Sequence, residues 1–215
     1  MYGIDDEVSF EAATLTEPLS CALTGVAQLR TRPELSAIVL GSGPMGILYT
    51  HALRTRGIDG CLVEISAARR ALAADAAARG WVACASIGEA VQSVSRNGTV
   101  DIVVDTTGVL SDEAIPLLAR GGQFLAVGLR RHTAAIDMRR VADESLSIVG
   151  SIDSIGTFAT AVHLINKDAV NAEAIVTHRL ELEDFRRAFE LLGCDIHNQR
   201  KSNAATAIKA VLCPP

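Results

Sequence analysis

Apolar residues in this chain gather into short unbroken runs separated by longer stretches with helical spacing. The runs are SAIVL (36–40), GCLVEI (60–65), the weaker WVACA (81–85), DIVVD (101–105), QFLAVGL (123–129) and LSIVGS (146–151). Their length and content of β-branched residues mark them as strands. They do not alternate apolar with polar, which fits strands covered on both faces. Helices are expected from the first run through about Arg56, over SAARRALAADAAARG with Gly80 as its stop, near 86–95, and from Ser111 to Ala119. Glycine suits a helix end, and Asp112 and Glu113 suit the positive end of a helix dipole. Strands spaced by helices of about ten to fifteen residues predict an α/β fold with a parallel sheet and right-handed crossovers.

Two flanks break this rhythm. Residues 1–35 hold one helical piece, EPLSCALTGVAQL, with Pro18 in its first turn. Residues 152–215 predict a helix at 156–166, a strand at 174–180, a helix at 182–192 and a strand at 205–212. The polar stretch 193–203 between the last two reads as a surface loop. The chain therefore divides into 1–35, 36–151 and 152–215.

Composition narrows the function classes. A hydrophobic share of 49% supports a packed core rather than disorder. Net charge is −5, and the basic residues are scattered. Nucleic acid and anionic membrane surfaces are therefore excluded as main partners. No apolar run approaches the ~20 residues of a membrane span. The start, MYGIDDEVSFEAATL, is acidic and lacks the pattern of a signal peptide. The cysteines, Cys21, Cys61, Cys84, Cys194 and Cys213, are odd in number and form no CxxC pair. That predicts neither a disulfide framework nor a self-contained zinc site. A soluble protein of the reducing cytoplasm is the expectation.

The chemistry starts at GSGPMG. Gly41, Gly43 and Gly46 fit G-x-G-x-x-G, directly after a strand and directly opening a helix. In that setting Gly41 allows the tight turn, Gly43 lets backbone approach a pyrophosphate, and Gly46 lets helix pack on strand. The helix N-terminus then offers N–H groups and a positive dipole end to the phosphates. Glu64 closes the second run, 18 residues after Gly46. A carboxylate there accepts the adenosine ribose hydroxyls and repels a 2′-phosphate, which favours NAD over NADP. Arg69 and Arg70 either soften that preference, with Arg69 flanking the adenosine, or are simply solvated.

In their order, EAATLTEPLSCALTGV, VLGSGPMGILYTHALRTRG, DIVVDTTG, LLARGGQFLAVGL, THRLELEDFRRAFELL and KAVL resemble medium-chain zinc-dependent alcohol and polyol dehydrogenases, nearest to the sorbitol and threonine dehydrogenase branch. The resemblance spans essentially the whole chain and implies a Rossmann-type, doubly wound parallel sheet that binds NAD. It assigns Gly41, Gly43, Pro44, Met45 and Gly46 to the pyrophosphate, Glu64 to the ribose and Arg69 to the adenosine side. Thr106 and Thr107 match a turn passing near the cofactor, or form an ordinary polar turn. Val127, Gly128 and Leu129 match the strand end that holds the nicotinamide carboxamide, with packing as the competing role. Glu17 matches a glutamate that serves the catalytic zinc directly or through water; its plainer reading is a helix-start carboxylate stabilised by the dipole. His51 reads as a packing or surface residue. Cys194 with His197 resembles half a metal site without a second half. Lys209 reads as a solvated strand residue or a neighbour of the pyrophosphate.

The resemblance also implies an omission. Family members begin with a GroES-like catalytic domain that carries the zinc ligands and the proton relay, and none of its motifs is present in these residues. Zinc is expected only if such a domain is supplied. Segments 1–35 and 152–215 would return to that domain, and LSIVGS matches the edge through which family members extend their sheet across a dimer. A homo-oligomer, or association with a catalytic-domain chain, is therefore expected, with a small alcohol or polyol as substrate. The alternative is a stand-alone NAD-binding module without turnover. A complete zinc-free reductase is disfavoured, because neither Tyr2 nor Tyr49 has a lysine four residues on.

Overall fold

The computed structural model describes residues 2–95, 97–195, 200–201 and 205–214. A short helix, α1 (Phe10–Ala13), leads into α2 (Thr16–Ala27). Five βα steps and a sixth strand follow: β1 (Ala37–Leu40), α3 (Pro44–Arg54), β2 (Gly60–Val63), α4 (Ala67–Ala76), β3 (Val82–Cys84), α5 (Ile87–Val94), β4 (Val100–Asp105), α6 (Ser111–Ala114), β5 (Leu118–Ala126), α7 (Met138–Asp143) and β6 (Ser147–Gly150). The strands form one parallel sheet in the order β3-β2-β1-β4-β5-β6. The fold is the doubly wound α/β architecture expected from the sequence.

Both faces of the sheet are covered, and β1 shows why its run is continuously apolar. Ala37 and Val39 join a core with Leu19 and Leu23 of α2, Ile47 and Leu53 of α3, and Ile165. Ile38 and Leu40 point the other way, into a core with Val103, Phe124 and the α5 residue Ala90. Helix starts follow local chemistry. The Ser66 hydroxyl caps α4 by accepting the Arg69 N–H, and Ser86 caps α5 by accepting that of Glu89. Under the amino-terminal end of β2, the buried Trp81 donates its indole N–H to Ile58 O, 3.3 Å away.

Some expected helices are shorter than their patterns suggest; α4 ends at Ala76, before the expected stop at Gly80. The α-helix from Ser111 stops at Ala114, and Ile115–Leu117 continue as a 3-10 turn around Pro116. Proline lacks the N–H that a longer helix needs. Strand β5 consequently begins at Leu118, five residues before the apolar run at 123. Its pairing with β4 shifts between Val100↔Leu118 and Ile102↔Gln123. Gly121, at φ +74°, turns the chain there, and its N–H reaches Glu144 O at 2.7 Å. At its other end β5 stops at Ala126, so Val127, Gly128 and Leu129 follow the strand rather than belong to it. Likewise β2 ends at Val63, and Glu64 is the residue after it.

Beyond the sheet lie α8 (Phe158–Asn166), α9 (Ala172–Ile175), β7 (Val176–Glu181), α10 (Phe185–Leu191), β8 (Cys194–Asp195), β9 (Arg200–Lys201) and β10 (Lys209–Cys213). Strands β7 and β10 pair with each other in parallel. Within the expected loop at 193–203, β8 and β9 pair antiparallel; His197 lies outside the described residues. Helix α8 is tied to α2 through Thr157, whose hydroxyl donates to Ser20 O at 2.6 Å. Among the described residues, no helix is long and apolar enough to cross a membrane.

Candidate functional site

The winding of the chain reverses between β1 and β4. In open parallel sheets, ligands lie in the crevice at such a reversal, beyond the carboxyl ends of the strands. The glycine turn leaves β1 at that point. Gly41 sits at φ +93°, and a Cβ there would meet Thr106 Oγ1 at 2.9 Å and Thr107 Cγ2 at 3.0 Å. A Cβ on Gly46 would run into Gly41 O, which is the close packing of helix on turn. Gly43 differs from both. It caps α3 at φ −68° and ψ 175°, and a Cβ there would meet nothing within 4 Å. The fold therefore makes no demand for glycine at 43, and the space in front of its Cα is open at the amino-terminal end of α3. Pro44 and Met45 form the first turn of that helix.

Glu64, only 3% exposed, stands beside this turn. One carboxylate oxygen accepts the Ser66 N–H at 2.8 Å, and the other accepts the Ser42 hydroxyl at 2.7 Å. Arg69 reaches both oxygens, at 2.9 and 2.8 Å. Burial by itself would raise the Glu64 carboxyl. The Ser66 N–H, Arg69 and Ser42 together outweigh burial and hold it below the usual carboxylate range. Arg70 donates to Glu64 O at 2.8 Å. Arg69 Nε is buried and without a partner among the described residues.

From the glycine turn the site continues along the strand ends. Thr106 donates its hydroxyl to Leu40 O at 2.7 Å, bridging β4 to β1 at the reversal. Asp105, which sequence reasoning passed over, organises the next turn. Its carboxylate accepts the Thr107 hydroxyl at 2.6 Å and the N–H groups of Thr107, Gly108 and Leu110. An acid closing a strand before Thr-Thr-Gly is a turn signal that was available in the sequence. Asp105 O also accepts the N–H groups of Val127 and Gly128, each at 3.0 Å. Gly128 packs so closely on Gly108 that a Cβ would strike its nitrogen. Leu129 is 77% exposed.

Val127, Gly128 and Leu129 border an open cavity of about 610 Å³, shared with Ser151, Ile152 and Asp153 beyond β6, with Thr24 of α2 and with Gln28 just after it. The three residues after β6 were missed as well; the strand-end rule applied to the sixth strand would have found them. Thus Gly41, Thr106, Thr107 and Gly128 touch in sequence along one edge, with Glu64 and Arg69 at one end and the cavity at the other.

Glu17 lies exposed in the first turn of α2 and accepts the Cys21 thiol at 3.3 Å. Burial and that carboxylate push the Cys21 thiol up to about 11. Burial lowers the Lys209 ammonium, and its attraction to Glu17 opposes the shift. Among the described residues, no three His, Cys, Asp or Glu side chains are grouped to hold a metal. A catalytic zinc takes three protein ligands, so Glu17 alone does not fit one. His51 is a packing residue, its ring Nε2 3.0 Å from Ala76 O and its imidazole lowered by burial.

The family model described as glucose dehydrogenase C-terminus matches residues 10–198. The chain belongs to this family. Glucose dehydrogenase C-terminus relatives include D-arabinitol dehydrogenase 1 of Uromyces fabae, 27% identical over 85% of this chain and 55% of that protein. Another is (R,R)-butanediol dehydrogenase of Neisseria gonorrhoeae, 26% identical over 100% of this chain and 60% of that protein. The chain thus spans somewhat over half the length of the curated relatives it matches. In fold it is similar to 2R,3R-butanediol dehydrogenase from Bacillus subtilis, with TM-score 0.83 and 24% identity over 100% of this chain and 60% of that one. It is also similar to an alcohol dehydrogenase from Escherichia coli CFT073 complexed with NADH, with TM-score 0.82 and 17% identity over 98% of this chain and 61% of that one.

Proposed function

We propose that this chain is the NAD-binding part of a zinc-dependent alcohol or polyol dehydrogenase, with residues 36–151 as the nucleotide-binding unit. Gly43 carries the reading: a glycine that the fold does not require, facing open space at a helix N-terminus beside a buried carboxylate. Backbone around Gly41, Gly43, Pro44, Met45 and Gly46 receives the pyrophosphate, aided by the α3 dipole. Glu64 accepts the ribose hydroxyls, and Arg69 flanks the adenosine. Thr106, Thr107, Val127, Gly128 and Leu129 border the nicotinamide side. When bound, the nicotinamide supplies hydride transfer.

Zinc and most of the substrate pocket come from a catalytic domain, in the same polypeptide or a neighbouring one, joined through residues 1–35 and 152–215, whose α2 and α8 also pack on the sheet. Glu17 approaches the metal only in that assembly. Calorimetry tests the reading: NADH binds, and Gly43→Val weakens it by about tenfold or more without changing the melting temperature. Absence of NADH binding by the unaltered chain defeats the proposal. That no three metal-ligating side chains are grouped among the described residues favours a second reading, a NAD-binding module without turnover. NADH binding with no zinc uptake and no alcohol oxidation, even when a family catalytic domain is added, selects it.

A further inference from the structure

We infer that Ser42 is a positioning residue: its hydroxyl ties the glycine turn to Glu64 and holds that carboxylate in the orientation that meets a free ribose 2′-hydroxyl. The inference rests on the cofactor reading above and extends it. Ser42 fills the first variable position of GSGPMG, where the motif asks nothing of the side chain. It is nonetheless buried, at 1% exposure, and its hydroxyl bonds Glu64 at 2.7 Å, while its own N–H stands farther off at 3.4 Å.

The three groups that hold Glu64 are not equivalent. Arg69 reaches across on a long side chain that is 30% exposed, so it can swing aside as adenosine enters. Ser66 is fixed as the cap of α4 and serves the other oxygen. Ser42 is fixed by the turn between Gly41 and Gly43 and serves one of the two oxygens that Arg69 would release. Its hydroxyl therefore keeps the carboxylate aimed during exchange, and it joins the pyrophosphate and ribose ends of the site through one bond.

Around Glu64 the charged and titratable groups are Arg69 and Arg70 from α4 and Cys84 from β3. The Cys84 carbonyl accepts the Glu64 N–H at 2.9 Å, and its thiol, pushed up to about 12 by burial and the Cys61 thiol, stays neutral over the range tested.

The test uses Ser42→Ala and Ser42→Gly, which delete the hydroxyl and keep the N–H, and Ser42→Thr, which keeps both. Carbon-13 NMR follows the Glu64 carboxyl titration in the ligand-free chain. Calorimetry gives NADH and NADPH affinities, and melting at neutral pH shows which variants are folded. In the deletions the Glu64 midpoint rises and NADH weakens by about tenfold, the scale of a hydrogen bond to a charged group. NADPH weakens less, so the preference for NADH shrinks. The Thr variant retains wild-type values. A folded deletion variant with unchanged midpoint and unchanged NADH preference overturns the inference while leaving cofactor binding intact. So does a Thr variant that falls as far as Ala at equal melting temperature, which assigns the loss to packing. If the unaltered chain binds neither dinucleotide, the cofactor reading fails and the inference goes with it.

Discussion

Gly43 and Gly46 answer to different demands within one six-residue turn. A Cβ at 46 meets the Gly41 carbonyl, so Gly46→Ala should lower stability by about 2 kcal/mol, measured by denaturant titration, whereas Gly43→Val should not. Glu64 makes a second residue-level prediction. Its carboxyl sits below the ordinary 4.5, so the unfolded chain takes up protons first as pH falls. The stabilisation is fully present above that ordinary value and is lost as pH drops through the folded one. Glu64→Gln should flatten this part of the plot of melting temperature against pH; an unchanged plot refutes the assignment. His51 acts in a separate window. Its lowered imidazole erodes stability as pH falls from about 6.5. Glu64→Ala should also narrow the preference for NADH over NADPH. The pattern of Gly41, Gly43, Gly46 and Glu64 was legible because spacing is a property of the chain. The Ser42–Glu64 hydrogen bond was not, because it forms only once β2 lies beside β1.

Helices and strands were legible in kind more than in extent. Runs of apolar residues identify β1, β2 and the Ile102–Val104 part of β4 because burial on both faces leaves no polar position there. The boundary errors have long-range causes. Pro116 ends the helix after α6, and Gly121 bends β5 to reach Glu144, a partner no local pattern reveals. Contact between α2 and α3 is equally specific. A Cβ on Gly25 would collide with the Tyr49 hydroxyl, which is buried deep enough for burial to raise its ionisation. Gly25→Ala should therefore destabilise the chain by about 1–3 kcal/mol, and a melt equal to the parent's would show that α2 can shift to make room.

For the molecule as a whole, β6 is an end strand of the sheet, and Leu129, Ile148, Ile152 and Ile155 expose apolar surface on or beside it. Unpaired edges of this kind invite association. Sedimentation should reveal a self-associated species that Ile148→Glu converts to monomer, and a clean monomer of the parent at high concentration would refute this. Within residues 152–215, β7 and β10 pair with each other in parallel. Trp81, the single tryptophan, lies at the amino-terminal end of β2, with its indole on the Ile58 carbonyl. Its emission colour is thus a built-in thermometer of the scaffold. It will redden when the sheet comes apart, and it will keep its native wavelength for a variant that has lost only its grip on the dinucleotide.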